Sequence, residues 1–156
     1  MLDELRELYQ EVILDHGRNP RNQRHPDDAN REAHGDNPIC GDRIDVYLKI
    51  TPNGMIEDAA FIGRGCAISQ ASASMMTEIV RGKSEAEAKA IFQSFHDMCT
   101  ADDYDPAAHP EADAEAMERL EVMAGVREFP MRVKCATLAW HTMNAAMEGG
   151  DTVTTE

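Results

Sequence analysis

The chain is poor in bases. Its 15 Lys and Arg face 29 Asp and Glu, a formal net charge of −14 over 156 residues. A nucleic-acid partner needs a basic patch to neutralise phosphates, which this composition cannot easily assemble. Long apolar runs are also missing: no stretch reaches the roughly 20 residues of a membrane span. The opening Met-Leu-Asp-Glu has neither the positive start nor the apolar run of a secretory signal. A soluble, cytoplasmic protein without membrane or nucleic-acid partners is expected. Cysteine is scarce, with four in all, and a reducing compartment with a chain this long makes a disulfide framework neither available nor needed. Metal ligation or thiol chemistry is the better expectation. Internal repeats are absent, and no break in composition calls for two domains.

Leu2, Leu5, Leu8, Tyr9, Val12 and Ile13 recur at helical spacing, so residues 2–16 read as an amphipathic helix ending before Gly17 and Pro20. Residues 18–37 are polar and read as a loop with a short edge strand near residues 31–34. Ile44, Val46, Leu48 and Ile50 alternate with Arg43, Asp45, Tyr47 and Lys49, the period of a strand with one buried face. Thr51-Pro52-Asn53-Gly54 supplies a turn, and residues 55–62 read as the antiparallel partner. Residues 67–81 are rich in Ala, Ser and Met and read as a helix stopped by Gly82. Ser84 and Glu87 form a capping-box signature for the next helix, whose stripe of Ala88, Ile91, Phe92, Phe95 and Met98 ends near Cys99. Nine acids lie between Asp97 and Glu121 against one base, Arg119. This acidic segment reads as a loop through Pro106 and Pro110, with a further helix over residues 112–124. A last helix follows Phe129-Pro130. The predicted fold is α+β: a small antiparallel sheet covered by about five helices, in one domain over residues 1–148, with a flexible tail over residues 149–156.

Three sequence motifs can carry chemistry. Asn37-Pro38-Ile39-Cys40-Gly41-Asp42 places a thiol and a carboxylate around a glycine that frees the backbone to aim both at one point, or else is a turn holding an incidental cysteine. Cys66, flanked by Gly63 and Gly65, falls at a strand-to-helix junction where helix-terminal N–H groups favour thiolate. Cys135 falls near the start of the last helix. The separations of the three cysteines match no zinc-ribbon or finger pattern, so the fold itself has to assemble any site. Three thiolates and a carboxylate suit a tetrahedral zinc ion, with the oxygen as the weaker ligand. Cys99 reads as a spare thiol, His34 as a surface residue, His96 as structural, and Met75, Met76, Met143 and Met147 as core filler.

Taken in order, the Cys40 motif, Gly63-Arg64-Gly65-Cys66-Ala67-Ile68-Ser69-Gln70-Ala71-Ser72 and Arg132-Val133-Lys134-Cys135-Ala136-Thr137-Leu138-Ala139-Trp140 resemble the IscU/SufU family of iron–sulfur assembly proteins. The opening helix with Tyr9, His16 and Asn19-Pro20 is similar too. Lys134 stands where IscU scaffolds have histidine, and the acidic insertion is a SufU-like feature. Lysine, cationic at neutral pH, is a poor substitute ligand. The resemblance to the SufU branch implies three antiparallel strands surrounded by helices, and zinc on Cys40, Asp42, Cys66 and Cys135. It also implies a partner, a pyridoxal-phosphate-dependent cysteine desulfurase of the SufS type, with downstream iron–sulfur assembly machinery beyond it. Cys40 would accept sulfane sulfur once a partner residue takes over its zinc position, while Asp42 helps keep the ion. Arg132 and Lys134 would contact the partner, favour thiolate, or be ordinary surface charge. Two other readings follow from the same ligands: an IscU-like scaffold holding iron or a transient [2Fe–2S] cluster, and a zinc-stabilised interaction domain.

Overall fold

The structure, a computed structural model, describes residues 11–38, 41–150 and 152–154. Cys40 and most of the helix expected over residues 2–16 lie outside them. Helix α1 is described over residues 11–18, so it runs past the expected stop at Gly17. Strands β1 (Arg31–Asn37), β2 (Asp42–Ile50) and β3 (Ile56–Arg64) form the three-stranded antiparallel sheet that was expected. Beyond it, β4 (Thr152–Thr154) pairs parallel to β1 from within the segment read as a tail, giving the order β3-β2-β1-β4. Helices α2 (Ala67–Val80), α3 (Glu85–Thr100), α4 (Ala114–Leu120) and α5 (Pro130–Met147) complete the fold.

The alternation read in β2 is real on the helix side: Ile44, Val46, Leu48 and Ile50 are all buried. The other face departs from expectation at Tyr47, which is buried as well because His25 stacks on its ring at 4.2 Å. The segment before β1 thus covers part of that face. It is held there by backbone bonds between Arg24 and Phe61 and between Phe61 and Asn22, each 3.0 Å.

Strand β1 is longer than the expected residues 31–34. Its inward positions are Ala33, Gly35 and Asn37, none with the large apolar side chain that marks a buried strand. They are small because α5 packs directly on the strand. A Cβ at Gly35 would collide with Thr142 Oγ1 and stand 3.1 Å from Leu138 Cδ1. Helix α2 likewise turns Ala71, Ser72 and Ala73 inward, and Ser72 Oγ donates to the Ala136 carbonyl of α5. Small side chains set how closely two helices pack. Their axes therefore lie near enough to bring both N-terminal ends toward the start of β2.

The capping box is present, with Glu87 N donating to Ser84 Oγ at 3.1 Å and Ser84 N to Glu87 Oε1 at 3.2 Å. The helix expected over residues 112–124 stops as α-helix at Leu120 and tightens into a 3-10 run, Glu121–Glu128, which leads to α5. Among the described residues, no helix is long and apolar enough to cross a membrane.

Candidate metal centre

Three chain segments end at one place. Asp42 is the first residue of β2, paired with Asn37 at the last position of β1. Gly41 lies just before it with φ +72°, and its N–H closes the connection on the Asn37 carbonyl at 2.9 Å. That positive φ explains the glycine between Cys40 and Asp42. Cys66 is the N-cap of α2: its Sγ accepts from Ser69 N at 3.5 Å, the position a serine or aspartate oxygen usually fills. The sulfur thereby meets one of the N–H groups that a helix start leaves without an intrahelical partner. Cys135 lies in the second turn of α5, fully buried, its Sγ 3.6 Å from the Met131 carbonyl.

The Asp42 carboxylate oxygen and the sulfurs of Cys66 and Cys135 all lie within 4.8 Å of one another. Donors around a tetrahedral ion at about 2.0–2.3 Å stand roughly 3.3–3.8 Å apart, so small side-chain movements would close this set on a metal.

Asp42 gives the strongest reason to place a cation here. It is 0% exposed. Oδ1 accepts from Cys66 N at 3.1 Å, but Oδ2 is buried with no hydrogen-bond partner. A buried carboxylate with an orphaned oxygen is costly unless something positive meets it. The glycine at position 65 makes room for this arrangement, since any Cβ there would strike the same carboxylate. Two thiols and a carboxylate suit an ion of zinc's character.

The remaining predicted residues divide between the surroundings of this group and other parts of the fold. The Arg132 guanidinium, one turn before Cys135, holds its proton more tightly than usual because of negative charge on Cys66 first and a hydrogen bond with Cys135 second. Lys134 is half-buried in the first turns of α5. Cys99 is apart from the group, fully buried in the hydrophobic core, and burial pushes its thiol up to about 12. His34 lies on exposed β1 and pairs with Asp45 on β2. Met75, Met76, Met143 and Met147 are buried as core.

Two contributors carry no obvious chemical signal in the sequence. One is Gly65 as the space for the carboxylate. The other is Asn37, whose fully buried side-chain amide, beside Asp42 in the ladder, lacks any partner. A buried polar residue at a strand end, next to a candidate ligand, is the only hint such a position offers.

The model of the NifU-like N-terminal domain matches residues 8–136, and the chain belongs to that family. It is 41% identical to the zinc-dependent sulfurtransferase SufU of Bacillus subtilis, over 92% of this chain and 94% of that one. It is 40% identical to the iron–sulfur cluster assembly scaffold protein IscU of Streptococcus pyogenes, over 94% and 87% respectively. Among solved structures, an iron–sulfur assembly scaffold protein for the SUF system of Fervidobacterium islandicum superposes with a TM-score of 0.76 at 30% identity. That match covers 90% of this chain and 97% of the other.

Proposed function

We propose that this protein is a zinc-dependent sulfur acceptor in iron–sulfur cluster assembly, taking persulfide sulfur from a cysteine desulfurase of the SufS type. The observation that carries the reading is the buried Asp42 carboxylate, one oxygen unpaired, facing the sulfurs of Cys66 and Cys135. Likeness to the Bacillus subtilis sulfurtransferase supports it.

Cys40, Asp42, Cys66 and Cys135 would hold the ion. Zinc bound there supplies the positive charge that keeps these thiols deprotonated near neutral pH. The roles of the residues then differ. Cys66, fixed as an N-cap, and Cys135, buried in α5, act as anchors. Asp42, tied to the Cys66 amide, would help keep the ion when Cys40 is released. The Cys40 thiolate attacks the outer sulfur of the donor persulfide; the S–S bond breaks, the donor cysteine departs as thiolate, and Cys40 carries the persulfide. Arg132, beside both anchoring sulfurs, stabilises their negative charge while the exchange takes place.

Mixing the protein anaerobically with a desulfurase and cysteine, followed by mass spectrometry, should show one added sulfur on Cys40. An unmodified Cys40 beside an active desulfurase overturns the reading. The identity to the Streptococcus pyogenes scaffold favours a second reading, assembly of a transient [2Fe–2S] cluster on the same thiols. Purified protein carrying stoichiometric zinc and yielding no transferable cluster on reconstitution excludes it.

A further inference from the structure

Three of the chain's six histidines line a single surface cavity outside the Asp42 centre. This cavity, about 390 Å³, is bounded by Phe92, Gln93, His96 and Asp97 of α3, His141 of α5, and His109 of the acidic insertion. Composition alone would scatter six imidazoles over the surface; half of them open on one space from three separate segments.

Two of the rings are spaced much as a shared ion would hold them. The rings of His96 and His141 lie 5.4 Å apart between centroids, at 81° to one another. Two imidazoles bound to one tetrahedral ion at Zn–N distances of about 2.0–2.1 Å have ring centres roughly 5 Å apart. Their present spacing is therefore close to that of a shared ion. Phe92 packs its edge on His141 at 5.0 Å and limits where that ring can turn.

Across the cavity, His109 Nε2 is 2.7 Å from Asp97 Oδ2. A carboxylate on one nitrogen of an imidazole fixes the ring and raises the donor strength of the other nitrogen, the usual support for a metal-bound histidine. Tyr104 stacks near the same ring, at 6.1 Å. Burial, and secondarily His96, lowers the pKa of His141 below the ordinary imidazole value, so it is a neutral donor at physiological pH. Unlike Asp42, Cys66 and Cys135, these donors do not yet meet within 4.8 Å. Closing the set on one ion takes side-chain movement around His109, which Asp97 holds at the end of a short 3-10 turn in the insertion.

We propose that His96, His141 and His109 form a second metal site, specific for divalent first-row transition ions that favour imidazole nitrogen, with Asp97 orienting His109. Nitrogen donors without sulfur suit nickel, copper, cobalt or zinc. Water completes the coordination on the solvent side, as in other open sites. Occupied, it ties the acidic insertion to α3 and α5. The site is independent of the sulfur-acceptor reading, because none of its residues belongs to the thiol centre.

The test is titration of full-length protein, loaded with a single equivalent of zinc, with Co²⁺, followed by visible absorption and calorimetry. One further equivalent should bind with micromolar affinity and give ligand-field bands without the sulfur-to-cobalt charge-transfer absorption of a thiolate site. The His96→Gln/His141→Gln double variant should bind it about 10–100-fold more weakly. Should that variant fail to fold, His109→Gln, a change confined to the insertion, should weaken binding in the same direction. Unchanged affinity in the variant that folds, absence of saturable binding below millimolar Co²⁺, or thiolate charge-transfer bands each overturns the proposal. Sulfur acceptance at Cys40, measured in parallel, reports only on the thiol centre, so the two ideas fail separately.

Discussion

A single missing methyl group shapes the thiol centre. Adding a Cβ at Gly65 would strike the Asp42 carboxylate and displace it, while every candidate ligand residue stays in the chain. Gly65→Ala should therefore weaken zinc about 10–100-fold, the usual cost of disturbing the groups that aim metal ligands. Competition with a chromophoric chelator measures it, and an unchanged affinity would show that Asp42 is not a ligand. Cys99 gives a contrasting prediction. With its pKa near 12, only about one thiol in 10⁵ is ionised at pH 7, and the side chain is buried. Iodoacetamide on the native protein should leave Cys99 unmodified in a peptide map, and should reach it only after denaturation. The motifs made Asp42, Cys66 and Cys135 legible as candidates, the first two through a neighbouring glycine and the third as a thiol near the start of the last helix. Gly65 and Asn37 were not legible as site residues, since their contribution is space and burial, which only the folded chain reveals.

At the level of elements, the clearest signals were the ones with a local cause. The capping box at Ser84 involves neighbours three residues apart, so the sequence states it outright. Ser84→Ala should cost about 1 kcal/mol in urea unfolding, without effect on metal content. Strand β1 was legible only in part, because its inward face reads Ala33, Gly35, Asn37 and its partner surface is a helix more than 90 residues further on. Long-range packing replaced hydrophobicity as the determinant there. Gly35→Ala should show this: the added methyl meets Thr142 and Leu138, and overpacking of this kind costs about 1–3 kcal/mol. A calorimetric melt that leaves stability unchanged would mean α5 can shift off the strand. The end of the helix after Asp113 was misplaced for a similar reason. Met123 and Val126 are buried on a 3-10 run that a 3.6-residue period does not describe.

For the molecule as a whole, mild acidity should destabilise the fold through two buried histidines. His16 links α1 to α2 through Ser74 Oγ at 2.8 Å, and that hydroxyl also receives the Arg21 N–H. The bond ties the imidazole to a buried hydroxyl, where there is little water to solvate a charged ring. Burial lowers the pKa of His16, as it does that of His141, below 6.5. In the unfolded chain both take up protons as pH falls through about 6.5, earlier than in the folded state. The unfolded form then binds more protons, so stability is complete above that pH and declines toward lower pH. Melting temperature should fall between pH 7.5 and 5.5 in the full-length protein, and His16→Gln should flatten part of that slope. A pH-independent melt over this range would contradict both assignments.

The anchors of the thiol centre also lie far apart along the chain, and this has a consequence during synthesis. Cys66 leaves the ribosome 69 residues ahead of Cys135. At about 5–20 residues per second, the nascent chain exposes its first ligands for roughly 3–14 s before the third thiol exists. Even then the site closes only when α5 settles on β1. A metal captured early would be held by an incomplete set and exchange freely, so lasting possession of the ion becomes a certificate that the last helix has docked.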